Sequence, residues 1–224
     1  MAGISGAQVK RGVCQVVRLG QVDYLHTWQL QKDLLAARHE GLVPDTLLLL
    51  EHPHTYTNGL RGQDDNMLLG SEALARLDAR YYRVDRGGDV TYHGPGQLVG
   101  YPILDLRQWR QDVHAYMRSL EQVIIDTLAE YGIASGRVAG CTGVWVGNEK
   151  IAALGVRISH WITCHGFALN INTDLSYFGH IIPCGLVGKG VTSMAKLLGH
   201  PPEPEEVIGR LLEHFGEEFA LEVG

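Results

Sequence analysis

Cysteine is scarce in this chain, with four in 224 residues. Cys14, Cys141, Cys164 and Cys184 form no C-x-x-C pair, and a chain of this length is no disulfide scaffold. Free thiols in a reducing cytoplasm are expected. No apolar run approaches the ~20 residues of a membrane helix. The first residues carry no basic start followed by an apolar run, so no secretory leader is expected. Positive charge is in the minority: 19 Lys and Arg against 25 Asp and Glu give a net charge of −6. Phosphate neutralisation needs a basic face, so no nucleic-acid partner is expected. Phosphate loops are missing as well. Gly94, Gly96 and Gly100 are spaced one residue too far apart for a dinucleotide fingerprint. Gly188-Lys189-Gly190 has glycine where a P-loop needs Ser or Thr, and Pro183 where it needs the earlier glycine. There is no internal repeat, linker or low-complexity segment. A composition 45% hydrophobic and 20% charged suits one domain over residues 1–224, with a core that needs no staples.

Glycine, by contrast, is plentiful, at 28 residues. It concentrates in Arg86-Gly87-Gly88-Asp89-Val90-Thr91-Tyr92-His93-Gly94-Pro95-Gly96-Gln97. A plain turn needs one or two glycines. Here a pair and a Gly-Pro-Gly flank the β-prone triplet Val90-Thr91-Tyr92. The reading is loop, short strand, loop, then a buried strand over residues 98–104. Missing side chains leave bare backbone for a ligand, framed by Arg86 and His93. An ordinary glycine-rich hairpin explains the glycines alone equally well.

Along the chain, residues 14–19 alternate loosely and read as an edge strand. Asp23 caps a helix over residues 24–38 with Leu25, Trp28, Leu34 and Leu35 as its apolar stripe, and Gly41 follows its end. Residues 46–51 form a wholly apolar run, expected to be a central strand. Residues 52–59 read as a polar loop in which His52 and His54 are solvated. Ser71 caps a short helix, and residues 81–84 are a strand. Asp112 caps a helix whose apolar positions, from Val113 through Tyr116, Met117, Leu120, Ile124 and Leu128 to Tyr131, follow a 3.6 period up to Gly132. That helix reads as core packing without chemistry. Residues 142–146 and 150–156 flank Gly147-Asn148-Glu149 as a hairpin. A strand over residues 167–172, a short helix capped by Thr192 and an amphipathic helix over residues 204–219 follow. Strands and helices do not alternate strictly, which predicts an α+β fold with a mixed sheet flanked by helices.

Two residue types stand out for chemistry. Cys184 lies between Pro183, which stiffens its approach, and Gly185, which leaves room beside the sulfur. A free thiol ionises near pH ~8.5, so a nucleophilic Cys184 needs a base or cation nearby; a small buried apolar cysteine is the plainer alternative. Lys150 opens the apolar strand of residues 151–156, and lost hydration makes such a lysine easier to deprotonate. An exposed lysine at a hairpin end is the commoner case. Cys164 and His165 are neighbours on a strand and face opposite ways, so they cannot serve one another. With Cys141 and His180 they lack metal-ligand spacing, and no metal is expected.

In this order, several segments resemble the bacterial-type octanoyltransferases, the lipoyl(octanoyl) transferases of protein lipoylation. They are Glu51-His52-Pro53 with Tyr56-Thr57-Asn58-Gly59, the glycine-rich stretch, Tyr101-Pro102-Ile103-Leu104, Gly143-Val144-Trp145-Val146, Lys150-Ile151-Ala152-Ala153-Leu154-Gly155-Val156-Arg157, His165-Gly166-Phe167-Ala168-Leu169-Asn170 and Pro183-Cys184-Gly185. The resemblance implies a catalytic domain of the biotin and lipoate ligase type. It implies transfer of an octanoyl group from acyl carrier protein to a lysine of lipoyl domains, those of 2-oxoacid dehydrogenases and of the glycine cleavage H protein, with no cofactor. Cys184 matches the thioester-forming cysteine and Lys150 its partner. Arg86, Gly87, Gly88, Asp89, Val90, Thr91, Tyr92 and His93, then Ala153, Leu154 and Gly155, then Gly166, Phe167 and Ala168, match the acyl-substrate contacts. A monomer is expected. Two alternatives stay open: an ATP-dependent lipoate–protein ligase, and a non-catalytic module that binds an acyl chain or its carrier.

Overall fold

The computed structural model describes residues 12–182 and 189–224. Strands β1 (Gly12–Gln21), β2 (Asp45–Glu51), β6 (Gln97–Ile103), β7 (Gly136–Val138), β8 (Cys141–Val146), β9 (Glu149–Ser159), β10 (Ile162–Asn170), β11 (Gly190–Val191) and β12 (Leu221–Val223) make the main sheet. Its order is β12-β1-β2-β6-β10-β9-β8-β7, with β11 beside β9. β1 runs parallel to β2 and β12, whereas the pairings from β2 through β8 are antiparallel, so the sheet is mixed as expected. A second sheet holds β3 (Thr55–Asn58) between β4 (Arg80–Arg83) and β5 (Thr91–His93). The helices are α1 (Tyr24–His39), α2 (Ser71–Arg76), α3 (Val113–Ala129), α4 (Met194–Leu198) and α5 (Pro204–Glu218). None of the described helices is long and apolar enough to cross a membrane.

The period of two along β2 builds both layers. Leu47 and Leu49 join the core under α3 and α5, with Leu120, Ile124, Leu211 and Phe215. Leu48 and Leu50 face the other way, onto Val99, Tyr101 and Ala168 beside α1. Each fully buried leucine contributes about 1.5–3 kcal/mol. A strand covered on both faces therefore reads as an unbroken apolar run.

Several expectations need correction. β1 is not an edge, because β12 pairs outside it through Gly12↔Leu221. Asp23 does cap α1, accepting from the backbone N–H of Leu25 and His26. The buried face of α1, however, is Tyr24, Thr27, Gln31 and Arg38, and Leu25 is exposed. Polar groups beneath the helix account for this: Arg38 bonds Asp45 at 2.7 Å, and Gln31 Oε1 accepts from His165 N at 2.7 Å. Gly70 and Ser193, one residue away from the expected Ser71 and Thr192, occupy the N-cap positions of α2 and α4. β10 begins at Ile162, ahead of the expected start, because β9 continues to Ser159 and pairs with it there.

The largest correction concerns residues 52–59. Four of them form β3, the buried centre of the small sheet. His52 is fully buried between the Val22 carbonyl, 2.7 Å from Nδ1, and the Tyr101 hydroxyl, 2.8 Å from Nε2. His54 stacks on Tyr177 with ring centroids 4.2 Å apart. Burial pulls the His52 pKa down to about 4. The unfolded chain takes up this proton near pH 6.5 and the folded chain does not. Stability is therefore complete above about pH 6.5 and falls as pH drops toward 4, by about 3 kcal/mol from this group. Urea midpoints between pH 7 and 4 should flatten in His52→Phe relative to wild type; parallel curves would exclude His52 as a source of the acid sensitivity.

Candidate active site

The glycine-rich loop folds back over β9 and β10, and a cleft of about 710 Å³ opens between them. Arg86 locks the loop. Its buried guanidinium donates to the Thr57 carbonyl at 2.7 Å, the Asp89 carbonyl at 2.8 Å and the Gly87 carbonyl at 3.0 Å. Gly87 N donates to the Val156 carbonyl at 2.9 Å, which ties the loop to β9. Gly155 permits this approach, since a Cβ there would stand 2.8 Å from the Gly87 oxygen. Gly155→Ala should therefore push the loop off β9. We expect a loss of roughly 1–3 kcal/mol in stability and a raised KM for the substrate that enters the cleft. Unchanged thermal and kinetic constants would show that the loop does not need this contact.

Lys150 lies where β9 meets β8 and β11, paired with Trp145 and Val191. It lines the cleft instead of extending into solvent. Its Nζ sits 4.9 Å from the Trp145 ring centroid, and Lys189 Nζ approaches the same ring at 4.7 Å. Lys189 also lies 3.3 Å from Cys141 Sγ. Burial is the main influence holding the Lys150 pKa below the ordinary lysine range; the cations Lys189 and Arg86 add to it, and Cys141 opposes it. A neutral amine is therefore easier to form here than on a free lysine.

The expected contact residues converge. Arg86, Gly87, Gly88, Asp89, Val90, Thr91, His93, Ala153, Leu154, Gly155, Gly166, Phe167 and Ala168 line the cleft with Lys150. Tyr92 does not. β5 alternates, so Thr91 and His93 face the cleft while Tyr92 turns into the small sheet's aromatic cluster, its hydroxyl 2.7 Å from His54 Nδ1. Cys184, with Pro183 and Gly185, lies outside the described residues. On either side of that segment, Ile181 and Lys189 line the cleft. Cys14 and Cys164 are buried, and desolvation pushes both thiols up to about 12, which leaves them inert near neutrality. Among the described residues no group of three or more His, Cys, Asp or Glu side chains could hold a metal ion.

The chain as a whole is similar to a known set of proteins. The family described as lipoyl protein ligase A/B catalytic domain matches residues 23–216. An octanoyltransferase of Solibacter usitatus is 55% identical over 210 residues, covering 94% of each chain. One from Flavobacterium johnsoniae is 48% identical over 226 residues, covering 93% of this chain and 97% of its own. The chain belongs to the octanoyltransferase family. A lipoate-protein ligase A solved with ATP shares the fold, with a TM-score of 0.73 over 96% of this chain and 88% of that one at 14% identity. The biotin and lipoate ligase type of α+β fold is thereby established.

Family resemblance did not point to every part of this cleft. α3 supplies one wall through Val113, His114, Met117, Arg118 and Glu121, so it is more than core packing. Glu121 is 1% exposed and accepts from Arg118, from Arg137 at 3.0 Å and from Gly143 N at 3.0 Å. It anchors the backbone beside Lys150, for Gly143 sits so close that a Cβ would come 3.2 Å from Lys150 Cε. A carboxylate amid the apolar stripe between Leu120 and Ile124 was the available signal. Lys189 and Cys141 gave none, because they are 48 residues apart in sequence.

Proposed function

We propose that this protein is an acyltransferase that moves an octanoyl group from acyl carrier protein to the lysine amine of lipoyl domains, through a thioester on Cys184. The observation that carries the reading is the cleft itself. It gathers a partly desolvated lysine, the bare backbone of the glycine-rich loop and the apolar Leu154, Phe167 and Ala168 in one space. Each buried methylene of an acyl tail gains about 0.8 kcal/mol there. The ends of the segment bearing Cys184 border the same space.

In the first half-reaction the Cys184 proton passes to Lys150, and the thiolate attacks the carrier thioester. A new S–C bond forms, the carrier's C–S bond breaks, and the departing thiolate takes the proton back from Lys150. In the second half-reaction a target lysine amine attacks the acyl-enzyme. An N–C bond forms, the Cys184 S–C bond breaks, and the amine's proton travels by way of Lys150 to the released cysteine thiolate. Splitting the transfer this way replaces one hard step by two easier ones. Thioester to amide is downhill, so no nucleotide is consumed. The acceptors in this reading are the lipoyl domains of 2-oxoacid dehydrogenases and the glycine cleavage H protein, the enzyme acts in the cytoplasm as a single domain, and no nucleic acid takes part.

Enzyme mixed with octanoyl-carrier protein and a lipoyl domain, without ATP, should octanoylate the domain and show a transient octanoyl adduct by intact mass. Modification only with free octanoate and ATP would identify a ligase instead. Carrier binding without any adduct or product would leave a binding module.

A further inference from the structure

Lys150 reaches the cleft through a break in the strand pattern. Side chains alternate along a strand, so Lys150 should share the face of Ala152 and Leu154. Those two pack into the core under α3. Lys150 instead stands over the Trp145 ring and lines the cleft. The pairing of β8 with β9 accounts for the difference. Trp145 opposes Lys150 while Val144 opposes Ala152, which leaves Ile151 as an extra residue on β9. This is a β-bulge, in which two residues face one. Both of them, Ile151 and Ala152, are fully buried in the helix-side core. The extra residue shifts the alternation by one and turns Lys150 to the other face.

The bulge is held from α3. Gly143, one residue before Val144, has a φ of +127°, a region that favours glycine. A Cβ there would stand 2.7 Å from the Ala152 carbonyl oxygen and 3.2 Å from Lys150 Cε, so Gly143 lies against both ends of the bulge. Its N–H donates to Glu121 Oε1 at 3.0 Å. Glu121 is fixed in turn, because Oε2 accepts from Arg118 and, at 3.0 Å, from Arg137 Nε. Arg137 also donates to the Arg118 carbonyl at 2.8 Å. A carboxylate only 1% exposed is tolerated when donors satisfy both oxygens, and these three groups do so. On the opposite edge, the Lys150 carbonyl accepts from Thr192 N at 3.0 Å. The backbone around Lys150 is therefore gripped from both sides.

We propose that Glu121 is a positioning residue for Lys150. Its bond to Gly143 N holds the bulge at Ile151, and the bulge aims the Lys150 amine into the cleft. The inference rests on Lys150 as the proton carrier of the transfer reading and adds the device that presents it. The charged and titratable groups facing Lys150 are Cys141 of β8, Lys189 ahead of β11 and Arg86 of the glycine-rich loop. The Glu121 charge is taken up by Arg118 and Arg137, so its influence on Lys150 passes through the backbone.

Acylation by octanoyl-carrier protein, followed by stopped flow between pH 6 and 9.5, tests this in Glu121→Leu, Glu121→Gln and Gly143→Ala. Leucine fills the space but leaves Gly143 N–H without its acceptor. The rate at pH 7 should fall about a hundredfold, as for a displaced base, with the KM for the carrier held. The profile should lose its wild-type shape and climb close to tenfold per pH unit toward pH ~8.5, like that of Lys150→Met. Adding Lys150→Met to Glu121→Leu should cost no more than about twofold further, because the two changes remove one function. Glutamine keeps an oxygen for Gly143 and should restore the wild-type profile and most of the rate. Gly143→Ala leaves Glu121 in place and pushes a methyl against the Ala152 oxygen and Lys150. It should reproduce the alkaline climb with a loss of about tenfold at pH 7, and it decides the question if Glu121→Leu does not fold. A wild-type-shaped profile in Gly143→Ala, and in Glu121→Leu where it folds, with only active fraction or thermal stability reduced, would overturn the inference. A Lys150→Met profile parallel to wild type would instead remove the role of Lys150 beneath it.

Discussion

Cys184→Ala is expected to abolish turnover and to leave the protein without any octanoyl adduct. The reaction as proposed has one covalent carrier, and alanine has no lone pair to attack a thioester. Loss of a nucleophile that works with its base as a unit costs on the order of 10⁴-fold or more in kcat. The other thiols cannot replace it on equal terms. Cys14 and Cys164 are buried with their ionisation pushed to about 12, so only about one molecule in 10⁵ would carry either thiolate at neutral pH. Cys141 lines the cleft beside Lys189 and is the sulfur to watch. Intact mass after incubation with octanoyl-carrier protein, followed by peptide mapping, decides the matter. An adduct persisting in Cys184→Ala and mapping to Cys141 would move the chemistry to that sulfur. Full activity without an adduct would rule out the covalent route.

The second large effect belongs to Lys150→Met. Removing a positioned base typically costs 10²–10⁴-fold, and methionine preserves most of the packing against Trp145. The pH profile is more telling than the rate. Burial, with Lys189 and Arg86 behind it, holds the wild-type Lys150 pKa below the ordinary lysine range. The neutral, proton-accepting form is therefore present at lower pH than on a free lysine, and acidification removes it. In the variant the thiol must ionise unaided, near pH ~8.5. Its acylation rate should climb close to tenfold per pH unit up to that value and recover part of the loss. Stopped-flow acylation between pH 6 and 9.5 reads this directly, and a variant whose profile parallels wild type would remove Lys150 from proton transfer.

Much of the frame was legible in one dimension. β2 announces itself through its apolar run, the hairpin of β8 and β9 through the intervening Gly147-Asn148-Glu149, and the helices α3 and α5 through the 3.6 period, Asp112 and Pro204. These signals are local, since a strand's alternation and a helix's cap involve residues within a turn of one another. The motif residues around Arg86, Lys150 and Gly166 line one cleft, and Tyr92 does not. The motif is contiguous in sequence, whereas β5 presents only alternate side chains to the cleft, and Tyr92 packs in the small sheet.

What the sequence determined by itself, then, was the longer helices and strands, the glycine-rich loop and the family motifs. The tertiary structure alone decided which polar residues lie inside. His52 reads as a solvated loop residue in sequence, and Gln31, Glu121 and His165 are polar residues to which the sequence assigned no buried role. They are buried because partners far along the chain — Tyr101, the His165 backbone, Gly143 and Asp85 — satisfy them. A polar group enters an apolar interior only when its hydrogen bonds are replaced. Those replacements come from side-chain bonds between residues tens of positions apart, which no local pattern encodes.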